Sequence, residues 1–245
     1  SYVERNQEMI NKSDFCVVYY DENYLPPRRR NSRRDLTDYQ PKSGTAVAHD
    51  YAVKKGKSIM NPIGHFRTIT KHRHKVIHHC AKAGILWQGL KHDLSKYTPT
   101  EFIAGAKYFL GTRSPNEEER ARFGHSKAWM HHKGRNTHHY EYWQDVNLQS
   151  GVYEPVPMPR KYLVEMVMDR RAACMTYQGD AYTDASAWEY YERSRERSSM
   201  HPELKRQLEH LLLMLRDRGE EETFRYIKDT VLPGKPFPWE QESEE

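Results

Sequence analysis

The residues of this chain that could do chemistry are histidines and aspartates that recur between positions 72 and 169. They are His72, the pair His92-Asp93, the pairs His131-His132 and His138-His139, and Asp169. Imidazole and carboxylate groups are the ligands that suit zinc, manganese and iron. This mixture therefore indicates a hydrolytic metal site rather than a structural site built from thiolates.

The composition is that of a globular protein with enough apolar residues for a core around such a site. The 245 residues are 37% hydrophobic and 30% charged, which suits one or two domains. No run of about 18 apolar residues occurs, and the start SYVERNQEM has neither a basic region nor an apolar signal core. We therefore expect a cytoplasmic protein that does not enter a membrane.

The cysteines and the first residues carry two further expectations. Cys16, Cys80 and Cys174 are odd in number, far apart and set in apolar surroundings, so we expect buried free thiols rather than disulfides. The chain opens directly in a helical pattern without an initial methionine, which indicates a fragment boundary at its start.

The net charge of +5 is concentrated in the basic segment 28–34 and in the histidine-rich middle. Such a balance fits a phosphorylated small molecule as well as it fits nucleic acid. The basic segment RRRNSRR lies between Pro27 and Pro41 in a polar stretch, which is typical of an ordinary solvated loop. We therefore do not expect nucleic acid as the partner, and a small-molecule substrate is favoured.

Residues 1–61 have the pattern of a small α/β segment. A helix in VERNQEMINKS precedes the apolar strand FCVVYY, and after a polar loop the helix GTAVAHDYAVKKG leads to the strand KSIMN, which is a βαβ unit. Ser43, Gly44 and Thr45 open the second helix, where free backbone amides can hold phosphate. The alternative is that Ser43 and Gly44 form an ordinary loop and helix cap.

RNQEMINKSDFCVVYYDE and SGTAVAHDYAVKKGKSI together resemble the latter half of a SLOG-type Rossmann-like domain. Members of that superfamily bind nucleotides or related ligands. The resemblance covers about a quarter of the chain, and it implies a partial Rossmann-like fold and nucleotide binding at Ser43, Gly44 and Thr45. The strands that precede this half in the superfamily are absent from the chain.

From residue 62 to about 232 the pattern is helical almost throughout. Thr98-Pro99-Thr100-Glu101 and Ser114-Pro115-Asn116-Glu117 each place a capping hydroxyl, a proline and a glutamate where a helix begins. Periodicity predicts helices over 63–83, 159–177, 184–198, 202–218 and 221–228. Residues 233–245 read as an irregular tail. The chain is thus expected to be mainly α, with a helical domain following the α/β segment.

Three local patterns bear on the metal site. His72, Val76, His79 and Ala83 share one face of the first long helix, so His72 is either a hydrogen-bonded core residue or a ligand. Adjacent residues of a helix point about 100° apart, so the pair His92-Asp93 can flank one ion or touch two. Gly134 is expected to break the helix in HHKGRNTHH, and we favour His132 and His138, which flank the turn, although either member of each pair remains open.

The order of these residues resembles the HD-domain metal-dependent phosphohydrolases, an all-helical superfamily, and HDLSK has the form found in several of its branches. The resemblance implies that His72, His92, Asp93 and Asp169 bind one metal ion. Asp93 would bridge to a second ion held by one histidine of each later pair. It also implies one or two divalent ions of manganese, iron, zinc, cobalt or magnesium.

A more specific resemblance, over about residues 65–180, is to a group of bacterial and phage proteins that carry HDLSKYTPTEF and HHKGRNTHHYEYW together, without a demonstrated reaction. We expect a phosphohydrolase or phosphodiesterase acting on a nucleotide or a related phosphorylated small molecule. Asp93, Lys96 and Arg135 would be its catalytic residues. The alternative is a non-catalytic nucleotide sensor with a structural metal site. The helix around LEHLLLML could close the bundle or form a homo-oligomer contact.

Overall fold

The structure is a computed structural model that describes residues 1–21, 24–27 and 41–241. The basic segment 28–34, on which the nucleic-acid hypothesis rests, lies outside the described residues. Within those residues the chain is mainly helical, with a short strand segment near its start, so the predicted fold class is confirmed.

The described residues form eleven α-helices and four short strands. The helices are α1 (Tyr2–Lys12), α2 (Gly44–Lys54), α3 (Pro62–Ala83), α4 (Leu86–Lys91), α5 (Pro99–Lys107), α6 (Pro115–Phe123), α7 (Lys127–Lys133), α8 (Arg160–Gln178), α9 (Ser186–Glu192), α10 (Pro202–Tyr226) and α11 (Pro238–Gln241). The strands are β1 (Phe15–Val17), β2 (Ser58–Met60), β3 (Gln144–Val146) and β4 (Tyr153–Pro155). Short 3₁₀ turns include Leu94–Tyr97 and Tyr140–Tyr142.

The chain divides into two compact units. Unit 1 comprises Ser1–Thr68 and Pro99–Ala128, and unit 2 comprises Ile69–Thr98 and Trp129–Glu245. α5 and α6 belong to unit 1 together with the N-terminal segment. Within unit 1 the Asn61 amide donates to the Ala106 carbonyl (3.0 Å), and Gly105 leaves room for the His65 ring.

In unit 1, β1 and β2 pair in parallel with α2 between them in the chain, which gives the predicted strand–helix–strand order. Cys16 pairs with Ile59 at the centre of this register. The side chain of Ser43 caps α2 by accepting a hydrogen bond from the Ala46 amide (3.0 Å).

Unit 2 has an apolar core between its long helices. Val76 and Cys80 of α3 and Leu163 and Val167 of α8 are fully buried there, together with most leucines of α10. Leu208, Leu211, Leu212 and Leu215 of the LEHLLLML stretch belong to this core, so that stretch closes the bundle within the chain. Cys80 and Cys174 are buried free thiols, as predicted, whereas Cys16 is half-buried.

Several helix ends differ from the prediction in detail. α5 and α6 begin at the predicted prolines, but the Thr98 hydroxyl donates to the Ser95 carbonyl (2.6 Å), and the Ser114 side chain makes no capping hydrogen bond. α10 covers most of the two helices predicted between 202 and 228. It is kinked at Gly219, whose φ of 77° is a conformation that glycine adopts readily. The expected helix over 184–198 is the shorter α9, followed by a 3₁₀ turn.

The last described residues are more ordered than the irregular tail predicted from residue 233 onward. Phe237 is fully buried, α11 follows it, and Arg160 Nη2 of α8 pairs with Glu240 (3.1 Å). The apolar contact of Phe237 thus orders a segment whose proline-rich sequence indicated no helix. Among the described helices, none combines the length and apolar character that crossing a bilayer requires.

Candidate metal centre

The centre of the site is a turn at Asp93, between α4 and the 3₁₀ turn Leu94–Tyr97. His92 caps α4 with extended backbone, and Asp93 has a φ of 56° and a ψ of 22°, in the left-handed region. The pair therefore lies between a helix and a 3₁₀ turn, and the 100° separation of adjacent helical residues does not apply to it. Aspartate tolerates this conformation better than most residues, and Asp93 is the one non-glycine residue with positive φ in the described chain.

Two contacts in unit 2 hold this turn against α3. Gly89 lies so close to α3 that a Cβ there would meet Cys80 Cβ at 2.7 Å and Ile77 Cα at 3.1 Å. Arg73 of α3 donates from Nε to the His92 carbonyl (3.1 Å) and from Nη2 to that of Leu90. Glycine is required for this close approach, which brings His92 towards the histidine face of α3.

One side of Asp93 faces what we call the first group, which consists of His72, His92, Asp93 and Asp169 and could hold a metal ion. His72 Nε2 lies 3.0 Å from Asp169 Oδ1, and His92 Nε2 lies 3.3 Å from Asp93 Oδ2 and 3.5 Å from Asp169 Oδ1. These are the four residues that the sequence placed around one ion. Three elements supply them: α3, the Asp93 turn and α8.

The other side of Asp93 faces the second group, which consists of Asp93, His132, His138 and His139 and could also hold an ion. Asp93 Oδ1 lies 3.2 Å from His132 Nε2 and 3.6 Å from His138 Nε2, and the Nε2 atoms of His132 and His139 are 3.0 Å apart. α7 ends at Lys133, so the helix stops before Gly134 as predicted. The group contains His132 and His138, the pair favoured from the sequence, and also His139, which the sequence left open as a candidate.

These distances match those between atoms that share a metal ion. Nitrogen and oxygen atoms at about 2.0–2.1 Å from one tetrahedral ion lie about 3.3 Å apart. The Nε2 atoms of His92 and His138 and the Oδ1 atom of Asp93 are buried and make no hydrogen bond within the described chain, and their nearest polar neighbours are the other candidate ligands. Because buried polar atoms are normally satisfied, this convergence fits a cation at each group.

Glu165 orients a histidine of each group, and sequence reasoning missed it. Its Oε1 lies 3.0 Å from His92 Nδ1 and 3.2 Å from His138 Nδ1. A carboxylate that accepts the Nδ1 proton leaves the Nε2 lone pair for a metal. Gln88 Nε2 donates to the other Glu165 oxygen (3.1 Å). The available signal was its position four residues before Asp169, on the same face of α8.

Other hydrogen bonds in unit 2 hold the loop that carries the second group. Ser95 Oγ lies 3.2 Å from His132 Nδ1, and Asn136 Nδ2 donates to Ser95 Oγ (2.8 Å). Trp143 Nε1 donates to the Thr137 carbonyl (2.8 Å), and the Trp129 ring packs edge-on against His139. Within this unit Trp129 and Trp143 therefore pack around the loop that carries the second group.

Burial and charge set the protonation of the ligands. Burial lowers the pKa of His72, and burial together with the charges of His138 and His132 lowers the pKa of His139 well below its usual range. Both are thereby neutral imidazoles, which is the form that binds a metal. Burial also lowers the pKa of His92, but the Asp93 charge and hydrogen bonds outweigh it and raise that pKa well above normal, so an ion would compete with a proton there.

The carboxylates remain ionised despite their burial. Burial raises the pKa of Asp93, but the charges of His92 and Lys96 outweigh it and hold that pKa well below its usual range. Hydrogen bonds from the surrounding histidines likewise outweigh burial at Asp169 and Glu165, and the pKa of Glu165 falls to about 2. The groups therefore combine charged carboxylates with the neutral imidazoles of His72 and His139, whereas His92 would exchange a proton for an ion.

The two predicted catalytic cations are placed differently. Lys96 Nζ lies 2.6 Å from Asp93 Oδ2, so it contacts the centre directly. Arg135 is exposed, and its Nη1 donates to the His131 carbonyl (3.3 Å); it makes no hydrogen bond or ion pair with either group in the described structure. Arg171, which directly follows Arg170 after Asp169 in the sequence, is buried and paired with Glu220 (2.5 Å).

The predicted phosphate-binding turn lies in unit 1. The Ser43 hydroxyl is used in capping α2, and Gly44 and Thr45 are exposed. Gly44 packs near Tyr2, where an added Cβ would stand 3.4 Å from Tyr2 Cε1. The structure thus accounts for Ser43 as a helix cap, which was the alternative to ligand binding.

Comparison with known proteins assigns the chain to one family. No curated protein and no solved structure matches the chain. Residues 61–214 match the family described as "Family of unknown function (DUF5662)", and this range includes every ligand of both groups as well as Glu165 and Lys96. Because the match covers more than half of the 245 residues, the chain belongs to the DUF5662 family.

Proposed function

We propose that the protein is a metal-dependent phosphohydrolase or phosphodiesterase that acts on a nucleotide or a related phosphorylated small molecule. The observation that carries the proposal is the position of Asp93, whose Oδ1 faces the second group and whose Oδ2 faces the first. A carboxylate shared in this way suits two neighbouring ions, and two-metal sites are common among enzymes that cleave phosphoesters.

The donor set fits divalent ions of manganese, iron, zinc, cobalt or magnesium, because it combines imidazole nitrogens and carboxylate oxygens without thiolates. His72, His92, Asp93 and Asp169 would hold one ion, and Asp93 with His132, His138 and His139 would hold the other. When bound, such ions lower the pKa of a water molecule and neutralise charge on a phosphoryl oxygen.

The protein's own residues supply the remaining requirements of the reaction. Lys96 carries an ammonium within reach of the centre, and its side chain is 28% exposed, so it can donate to a phosphoryl oxygen that approaches from solvent. Asp169 is 16% exposed, whereas His92 and His138 are almost fully enclosed. The Lys96 and Asp169 side is therefore the side on which a substrate reaches the centre, and the enclosed side excludes water.

The test is the turnover of a panel of phosphomonoesters, phosphodiesters and nucleotides by the metal-loaded protein and its Asp93→Asn variant. Asparagine tolerates the left-handed backbone of residue 93 and has nearly the same volume, so the variant removes the charge and preserves the turn. We expect a loss of turnover of at least about a hundredfold, on the scale of a removed transition-state interaction. Asp180→Asn, on an exposed turn of unit 2, is the matched control and should retain activity.

Two results would contradict the proposal. Undiminished turnover by a folded Asp93→Asn protein would exclude the centre as the reaction site. Saturable nucleotide binding without turnover by the metal-loaded native protein would instead support the non-catalytic sensor.

A further inference from the structure

The two groups that share Asp93 differ in their donors. The first group has two imidazoles and two carboxylates, and the second has three imidazoles and the single carboxylate of Asp93. Imidazole binds the later first-row metals well, whereas carboxylates suit manganese and magnesium. The second group is therefore suited to firm retention of an ion such as zinc, iron or cobalt even without a second carboxylate.

Lys96 distinguishes the groups further, because it contacts only one oxygen of the shared carboxylate. Its ammonium lies 2.6 Å from Asp93 Oδ2, the oxygen of the first group, whereas Oδ1 lies against His132 and His138. An ion bound to Oδ2 would stand within a few ångströms of this ammonium, and like charges at that separation repel strongly in a buried site. The lysine and an ion of the first group thus compete for one oxygen.

We propose that the centre fills in order: the second group holds a resident ion, and the first group gains its ion together with a phosphate-bearing substrate. A phosphoryl oxygen offers Lys96 another anionic partner, so its ammonium can leave Asp93 Oδ2 as the substrate binds. The substrate then assists the binding of the ion that acts on it. This inference rests on the proposed function, because it assumes that both groups hold metal ions.

The experiment is a titration of metal-free protein with Co²⁺ by equilibrium dialysis, with and without inorganic phosphate. We expect one tight and one weak equivalent in the native protein, and a gain of about tenfold or more in the affinity of the weak one when phosphate is added. Lys96→Met should tighten the weak equivalent by a similar factor and remove most of the phosphate effect. Lys96→Arg keeps the charge and should behave like the native protein.

Further variants assign the two equivalents. His139→Ala should remove the tight equivalent and His72→Ala the weak one. Lys91→Met deletes the charge of an exposed lysine beside His92 and should change neither. Two equivalents of equal affinity, unaltered by Lys96→Met and by phosphate, would overturn ordered filling and leave the proposed function standing. A protein that binds no Co²⁺ under any of these conditions would overturn both.

Discussion

Two regions of the molecule carry sequence signals for ligand binding, and the structure treats their polar groups in opposite ways. In unit 1 the Ser43 hydroxyl is satisfied three residues away, by the amide of Ala46. In unit 2 the Nε2 atoms of His92 and His138 face Asp93 and make no hydrogen bond within the described residues. A polar motif satisfied by its own helix stabilises the fold, whereas buried polar atoms that converge unsatisfied fit an added ligand. The following predictions test this distinction.

The largest expected effect comes from Glu165, which touches a histidine of both groups. Glu165→Gln keeps the shape of the side chain but removes the charge that holds the Nδ1 protons of His92 and His138. We expect affinity for metal to fall by about 10–100-fold at both groups, as measured by dialysis against Mn²⁺. Glu209→Gln, which removes the charge paired with Arg195 in the same unit, is the control. Unchanged affinity in Glu165→Gln would show that Glu165 serves packing alone.

The second prediction concerns His79, a buried histidine of α3 that belongs to neither group. Burial and the charge of Arg171 lower its pKa from 6.5 to about 3. Between these pH values the unfolded chain binds a proton that the folded chain does not. Stability is therefore fully present above pH 6.5 and falls as the pH drops towards 3, by up to about 1.4 kcal/mol per pH unit.

His79→Gln removes this titration and should flatten the dependence of the unfolding free energy on pH, measured by urea denaturation between pH 4 and 7. Its metal content at neutral pH should equal that of the native protein, because His79 is not a ligand of either group. An unaltered pH slope would mean that His79 does not titrate as described. Loss of metal would mean that the boundary of the centre is misplaced.

The smallest effect is expected in unit 1. Ser43→Ala removes the cap of α2 and should cost about 1 kcal/mol of stability, measured by chemical denaturation. Ser43→Asn restores a capping side chain and should recover most of that loss. Neither variant should change metal binding. A variant that keeps its stability but loses affinity for a nucleotide would assign Ser43 to a binding site, and the two regions would then both be ligand sites.

The residue types of the candidate centre and most of the helices could be predicted from the sequence, because both depend on local pattern. His72 lies on the buried face of α3 as its spacing indicates, and Pro99 and Pro115 begin helices. The left-handed turn at Asp93 was not predicted, since nothing in His92-Asp93 distinguishes a helix from a tight turn. It depends on the tertiary approach of Gly89 to α3.

The surroundings of the ligands were harder to predict for the same reason. Glu165 is one glutamate among many in the sequence. It lies 73 residues after His92, and only the packing of the helices brings the two side chains together. His139 is adjacent to His138, and neighbouring side chains of an extended chain point to opposite sides. Only one of the two rings would therefore be expected at the centre. The loop conformation after α7 brings both rings there, with centroids 4.1 Å apart.

The most direct test of the central claim is the metal content, measured by plasma mass spectrometry, of native protein and Asp93→Asn purified without chelators and reloaded with Mn²⁺ or Zn²⁺. The account predicts one to two equivalents in the native protein and a marked loss in the variant, since Asp93 belongs to both groups. Native protein that holds no metal and cannot be reloaded would contradict it. The buried histidines would then be structural, and the phosphohydrolase proposal would fall with the metal centre.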